Sequence, residues 1–167
     1  MASTEPSSKN RPDNMTGDYT IAVITSRFNE SITQKLKVIC IKTLHENGVE
    51  DDHLIEIDVP GALEIPLAAS IIANSDAVDG IIAIGCVIRG ETYHFEIVAN
   101  ESARGLMDIQ IAHCLPVINC ILTVDNKEQA MARIQQKATD AVADAIEMIL
   151  WRQTMQPGLA IRDIDIL

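Results

Sequence analysis

Residues 80–95 read Gly-Ile-Ile-Ala-Ile-Gly-Cys-Val-Ile-Arg-Gly-Glu-Thr-Tyr-His-Phe. Residues 80–85 are apolar or glycine at every position, without the alternation of a half-exposed strand. A short run with no polar face predicts a central strand of a parallel sheet, buried on both sides. Arg89, Thr92 and His94 then follow in quick succession around Gly90. In an open parallel sheet the carboxyl ends of the strands collect the loops and the N-termini of the following helices, where ligands and anions bind. Gly85 and Gly90 are expected to let the backbone approach a ligand, Arg89 and Thr92 to offer donors, and His94 to exchange a proton near neutral pH. A glycine-rich turn with one arginine and one histidine is also ordinary loop chemistry, so the segment does not define a site by itself.

The rest of the chain repeats the same alternation. Residues 19–25 form a β-branched run, and Ser26-Arg27-Phe28-Asn29 leads into residues 30–47, where Ile32, Leu36, Ile39 and Thr43 recur at helical spacing before Gly48 stops the helix. Residues 53–59 set Leu54, Glu56 and Asp58 against Ile55, Ile57 and Val59, a more polar strand that suits a sheet edge. Val59-Pro60-Gly61-Ala62-Leu63-Glu64-Ile65-Pro66 closes that strand and opens a helix over 62–74, where Pro66 is tolerable only within the first turn. Further along, 93–112 reads as the third helix, 116–124 as the fourth strand, and 126 to about 156 as an acidic, Ala-rich helix with no Gly or Pro inside it. Repeated β-α units with right-handed crossovers predict an α/β fold, a three-layer α/β/α sandwich on a parallel sheet. Residues 1–17 lack large apolar side chains and are expected to form a flexible arm; 18–156 is the single domain, and 157–167, set off by Pro157-Gly158, a tail.

Composition narrows the function. Hydrophobic residues make up 47% of 167, enough for one core, and the formal net charge is −11 with no basic run, so a nucleic-acid footprint is missing. Cys40, Cys86, Cys114 and Cys120 form no C-x-x-C pair and follow no signal peptide, which predicts reduced, mostly buried thiols and a cytoplasmic protein. The four histidines show no metal-ligand spacing, so no metal is expected. No apolar stretch reaches the roughly 18 residues a membrane span requires.

The motifs Ser26–Asn29, 59–66 and 85–95, together with Leu122-Thr123, Glu128-Gln129-Ala130 and Glu147-Met148, resemble the lumazine synthase family over about residues 19–148. The resemblance implies a flavodoxin-like fold with strand order 2-1-3-4. It also implies a transferase of riboflavin biosynthesis that condenses 5-amino-6-(D-ribitylamino)uracil with 3,4-dihydroxy-2-butanone 4-phosphate to 6,7-dimethyl-8-ribityllumazine, without a cofactor. A homopentamer with sites shared between adjacent subunits is implied as well. Competing readings are a non-catalytic flavin- or lumazine-binding paralogue and a shell protein with a vestigial pocket. Retention of Phe28, Glu64, His94 and Arg133 together favours the enzyme.

Residue by residue, Phe28, one of only two phenylalanines, is expected to stack on the heterocycle, against the alternative of a core anchor. Leu63 stands where the family often has an aromatic ring. Glu64 would accept hydrogen bonds from ribityl hydroxyls, or merely favour the helix dipole. Backbone groups of Ala62, Cys86, Val87 and Ile88 would read the pyrimidine edge. Gly90, Glu91 and Thr92 match the phosphate loop, with the Glu91 side chain turned outward, and His94 matches the proton-transfer residue, against a histidine merely hydrogen-bonded at the helix start. Arg133 matches the arginine that reaches the phosphate of a neighbouring site, against an exposed helix arginine, and Asn119 would line that site from the adjacent subunit. Lys137 falls on the family's lysine position, but the glycine-containing turn that normally separates it from the arginine is shortened, so the two final helices are expected to fuse. With that turn gone, a ring that does not close into a sixty-subunit shell is expected.

Overall fold

The computed structural model describes residues 19–155. The flexible arm read over 1–17 and the tail over 157–167 lie outside the described residues. Strands β1 (Ile21–Ser26), β2 (Leu54–Val59), β3 (Gly80–Ile88) and β4 (Val117–Val124) alternate with helices α1 (Glu30–Glu46), α2 (Ile65–Ala73), α3 (His94–His113) and α4 (Lys127–Thr154). All strand pairs are parallel and the order is β2-β1-β3-β4, a three-layer α/β/α arrangement of flavodoxin-like type.

β3 explains the layering. Along this strand Ile82, Ile84 and Cys86 point into one core with α1 and α4, while Ile81, Ala83 and Val87 point into the other with α2 and α3. The strand period of two therefore feeds two separate cores from one segment, which is why its sequence has no polar face. Gly85 departs from its expected role. β3 runs past it to Ile88, and a Cβ at Gly85 would come within 3.2 Å of Ile121 on β4. The glycine serves packing within the sheet, not approach to a ligand.

β2 is the polar edge the alternation foretold. Lys37, on α1, reaches Glu56 at 3.0 Å and Asp58 at 3.2 Å. Burial lowers the Lys37 pKa, but the hydrogen bonds and charges of these carboxylates outweigh it and hold the ammonium above its usual range. At the opposite edge, the Asn119 side chain accepts from the Ile121 amide at 2.9 Å, which satisfies a donor on the outer side of β4.

Helix boundaries follow local chemistry. Gly48, at φ 87°, ends α1 with its amide on His45 O at 2.9 Å. α2 starts later than the sequence suggested: residues 62–64 form a 3-10 turn and the α-helix begins at Ile65, with Pro66 at its first positions. α4 is capped by Asn126, whose side chain accepts from the Gln129 amide at 2.8 Å while Gln129 accepts from the Asp125 amide at 3.0 Å. It then continues for 28 residues without a break, so the expected fusion of the last two helices is present.

α2 and α3 touch at Gly105, where a Cβ would fall 2.8 and 2.9 Å from ring carbons of Pro66. The pyrrolidine ring cannot rotate away, so any side chain here forces the helices apart. Gly105→Val is expected to lower unfolding stability by about 1–3 kcal/mol despite its better helix propensity, as read from urea denaturation.

Candidate active site

The strand order reverses between β1 and β3, because the chain passes from β1 outward to β2 and returns to β3 on the other side. Connections leaving the carboxyl ends of β1 and β3 diverge there, and a crevice opens. A cavity of about 420 Å³ occupies it, lined by Ser26 at the end of β1 and Phe28 after it, Gly61–Glu64 after β2, Cys86–Ile88 at the end of β3, Gly90 and Thr92 after it, and His94, Phe95 and Val98 at the start of α3.

Each wall has a local cause. Ser26 Oγ accepts from the Phe28 amide at 3.2 Å, a short turn that throws the Phe28 ring out of the core; it is 69% exposed. Asn29 is left-handed at φ 58°, and its Nδ2 donates to Cys86 O at 2.9 Å, tying the end of β1 to β3 across the switch point. Leu63 is 40% exposed and gives the wall an aliphatic surface. The Glu64 carboxylate folds back over Gly61, where a Cβ would meet its Oε2 at 2.8 Å. The Cys86 side chain sits in the core with α1 and α4, where burial pushes its thiol up to about 11 and keeps it uncharged. At Gly90 the φ is not positive and nothing lies within 4 Å of a Cβ position, so neither backbone nor neighbours demand glycine.

Of the residues singled out in the sequence, Phe28, Ala62, Leu63, Glu64, Cys86, Val87, Ile88, Gly90, Thr92 and His94 meet in this cavity. Glu91 is exposed and does not line it. Asn119, Arg133 and Lys137 lie elsewhere: Asn119 on the outer edge of β4, and the other two one turn apart on α4, whose core is shared with α1. Arg133 is exposed, with Nη1 on Gln129 O at 2.9 Å. Half-buried Lys137 lies close enough to Asp144 to offset part of the burial and the repulsion from Asp140 and Glu147 that raise that carboxyl. Arg89 is not a free donor: it pairs with Glu96 and with Asp125, and lies over the Phe95 ring.

Ser26, Gly61, Asn29, Phe95 and Val98 were not assigned roles from sequence. For Phe95 and Val98 the signal was their i, i+3 spacing at the helix start, which puts them on one face beside His94. Asn29 carries no such signal, since its value depends on a carbonyl of another strand.

Two expectations follow. Asn29→Gly keeps the left-handed backbone but loses the bond to Cys86, whereas Asn29→Ala loses both, so the alanine variant should be the less stable of the two by about 1 kcal/mol in urea titration. Second, the hydrogen bond from Arg89 holds the Glu96 carboxyl below its usual range. A depressed carboxyl contributes stability above its unfolded pKa and loses it as pH falls through the folded value. The melting temperature of Glu96→Gln should therefore lie below that of the parent at neutral pH, and the gap should close at pH below the ordinary glutamate range.

The family model for 6,7-dimethyl-8-ribityllumazine synthase matches residues 18–153. A protein of that name from Methylobacillus flagellatus is 48% identical over 132 residues, covering 79% of this chain and 89% of the relative. Those from Verminephrobacter eiseniae and Leptothrix cholodnii are each 46% identical, over 77% and 78% of this chain and 83% and 85% of the relatives.

Proposed function

Because this chain belongs to the 6,7-dimethyl-8-ribityllumazine synthase family, we propose that it is a transferase of riboflavin biosynthesis. It condenses 5-amino-6-(D-ribitylamino)uracil with 3,4-dihydroxy-2-butanone 4-phosphate, releases phosphate and water, and yields 6,7-dimethyl-8-ribityllumazine. No cofactor takes part. One observation carries the reading: a single crevice gathers an exposed flat ring, a carboxylate, the end of a strand, the glycine of the following turn and a histidine.

The chemistry divides among these groups. Phe28 stacks on the pyrimidinedione and Leu63 covers it with aliphatic surface. The backbones of Ala62, Cys86, Val87 and Ile88 present N–H and C=O groups to the heterocycle edge, and Glu64 accepts from the ribityl hydroxyls. The amides of Gly90, Glu91 and Thr92 precede α3, where the helix dipole favours the phosphate. His94, at the first turn of that helix, moves protons during imine formation, phosphate elimination and ring closure.

A ring of five subunits completes the site, with Asn119 and Arg133 supplied by the neighbour. Support comes from two directions. Those residues face away from their own cavity, and α2 and α3 expose Leu67, Ile71, Met107 and Ile111, with Leu67 and Ile71 as well as Met107 and Ile111 at i, i+4 on their helices. In the neighbour's site Arg133 forks onto the phosphate, and Lys137 one turn on adds a second cation. The unbroken α4, about 42 Å long at 1.5 Å per residue, lacks the bent connection that would let pentamers meet at the angle of a shell, so the ring stays a pentamer or pairs into ten and does not form a shell of sixty. We place the enzyme in the cytoplasm; four free cysteines, with Cys114 exposed, suit a reducing compartment. No helix among the described residues is long and apolar enough to cross a membrane.

Mixing the purified protein with the two substrates and following lumazine fluorescence tests the reaction; ligand binding without turnover would point to a non-catalytic relative instead. His94→Ala is expected to lower turnover by about 10²–10⁴-fold with folding intact. Arg133→Ala should raise the apparent KM for the phosphate-bearing substrate far more than for the pyrimidine. Native mass spectrometry should give five or ten chains, and a particle of sixty would contradict the role given to α4.

A further inference from the structure

An arginine immediately ahead of an anion-binding turn is the obvious candidate for a phosphate ligand, and Arg89 holds that place. Its surroundings argue otherwise. The Arg89 amide donates to Val124 O at 2.9 Å and its Nε donates to Asp125 Oδ1 at 3.1 Å, both at the end of β4. Nη1 pairs with Glu96, and the guanidinium carbon sits 4.1 Å over the Phe95 ring, both in the first turn of α3. One cation thus faces two carboxylates and has one planar face covered by an aromatic ring. An incoming anion would meet a guanidinium whose Nε and Nη1 are already committed and whose charge two carboxylates offset.

What the guanidinium does hold is geometry. Its partners belong to the end of β4 and the start of α3, and the segment between Arg89 and those α3 partners contains Gly90, Thr92 and His94, three groups lining the cavity. The planar fork fits this task, since it can bond two carboxylates at once and still stack on a ring. We propose that Arg89 is a positioning residue, not an anion ligand: it clamps β3, β4 and α3 together and so fixes where the turn amides meet phosphate and where His94 meets the reacting atoms. This rests on the lumazine synthase reading for the identity of the anion and of the reaction.

Glu96→Gln separates the two roles. Were Arg89 a ligand, removing Glu96's charge would free the guanidinium, and both the KM for 3,4-dihydroxy-2-butanone 4-phosphate and the dissociation constant for inorganic phosphate would fall. As a clamp, Glu96→Gln and Arg89→Ala should both raise these constants and lower kcat, by about 10- to 100-fold for displacements near 1 Å, while the KM for the pyrimidine moves little. Arg89→Lys keeps the charge but lacks the fork and the stack, so it should fail to rescue. Tighter phosphate binding in Glu96→Gln, or full rescue by Arg89→Lys, would overturn the proposal. A kcat and KM pattern unchanged in Glu96→Gln and Asp125→Asn, with only the melting temperature lowered, would overturn it as well. If the parent protein makes no lumazine, the family reaction fails, and inorganic phosphate titration of parent and Glu96→Gln, with fold checked by circular dichroism, still decides the role of Arg89.

Discussion

β1 has β2 on one side and β3 on the other, and both neighbours run parallel to it. The chain that leaves β1 therefore departs in the opposite sense from the chain that leaves β3, and no connection can cover the gap between their carboxyl ends. Most groups in the cavity lie within a few residues of the strand ends around that gap, and Val98 reaches it from one turn further along α3 than His94. The gap is also where backbone polar groups would go unsatisfied. Asn29 answers this by donating to Cys86 O, so one side chain joins two strands whose next residues separate. The cavity is thus an outcome of strand order, and its chemistry is set by which residues the sequence places at those ends.

That dependence explains what could be read beforehand. The polar edge strand β2 and the doubly buried start of β3 follow from burial patterns that each segment carries alone, whereas the strand order was implied by the family resemblance. Val59–Pro66 and Gly85–Phe95 were legible as site segments because turn residues interrupt apolar runs there. The misjudged positions are those where a residue answers to a distant partner. Gly85 looked like a loop glycine, but it makes room for Ile121. Arg89 looked available, but Glu96 and Asp125 occupy it. Asn29 belonged to a recognised motif, but nothing local pointed to its bond with Cys86 O. Tertiary demands of this kind leave no period in the sequence, so local reading cannot separate them from surface chemistry.

α4 shows the reverse case, in which a local absence was enough. Without glycine or proline the helix has nothing to stop it, and Ala130, Ala138, Ala141 and Ala145 let it lie close to the sheet along much of its length. Such small side chains hold the helix by close backbone approach and dispersion, supported by Ile134, Val142, Ile146 and Ile149. The positions of Arg133 and Lys137 are then fixed by helix geometry and not by a loop.

The pairing of Ile21 with Gly80 bears on the order in which the chain can assemble as it is made. β1 emerges first, and its Ile21-Ala22-Val23-Ile24 edge is offered β2 only after α1 has been synthesised, and β3 only after α2. At translation rates of about 5–20 residues per second, one side of an apolar strand waits for seconds with its hydrogen-bonding groups open. α1 can cover a face of that strand in the meantime but not its edge. Pairing between such distant segments also slows folding in general. Nascent or refolding chains at high concentration would therefore meet one another through β1 before each acquires its own β3.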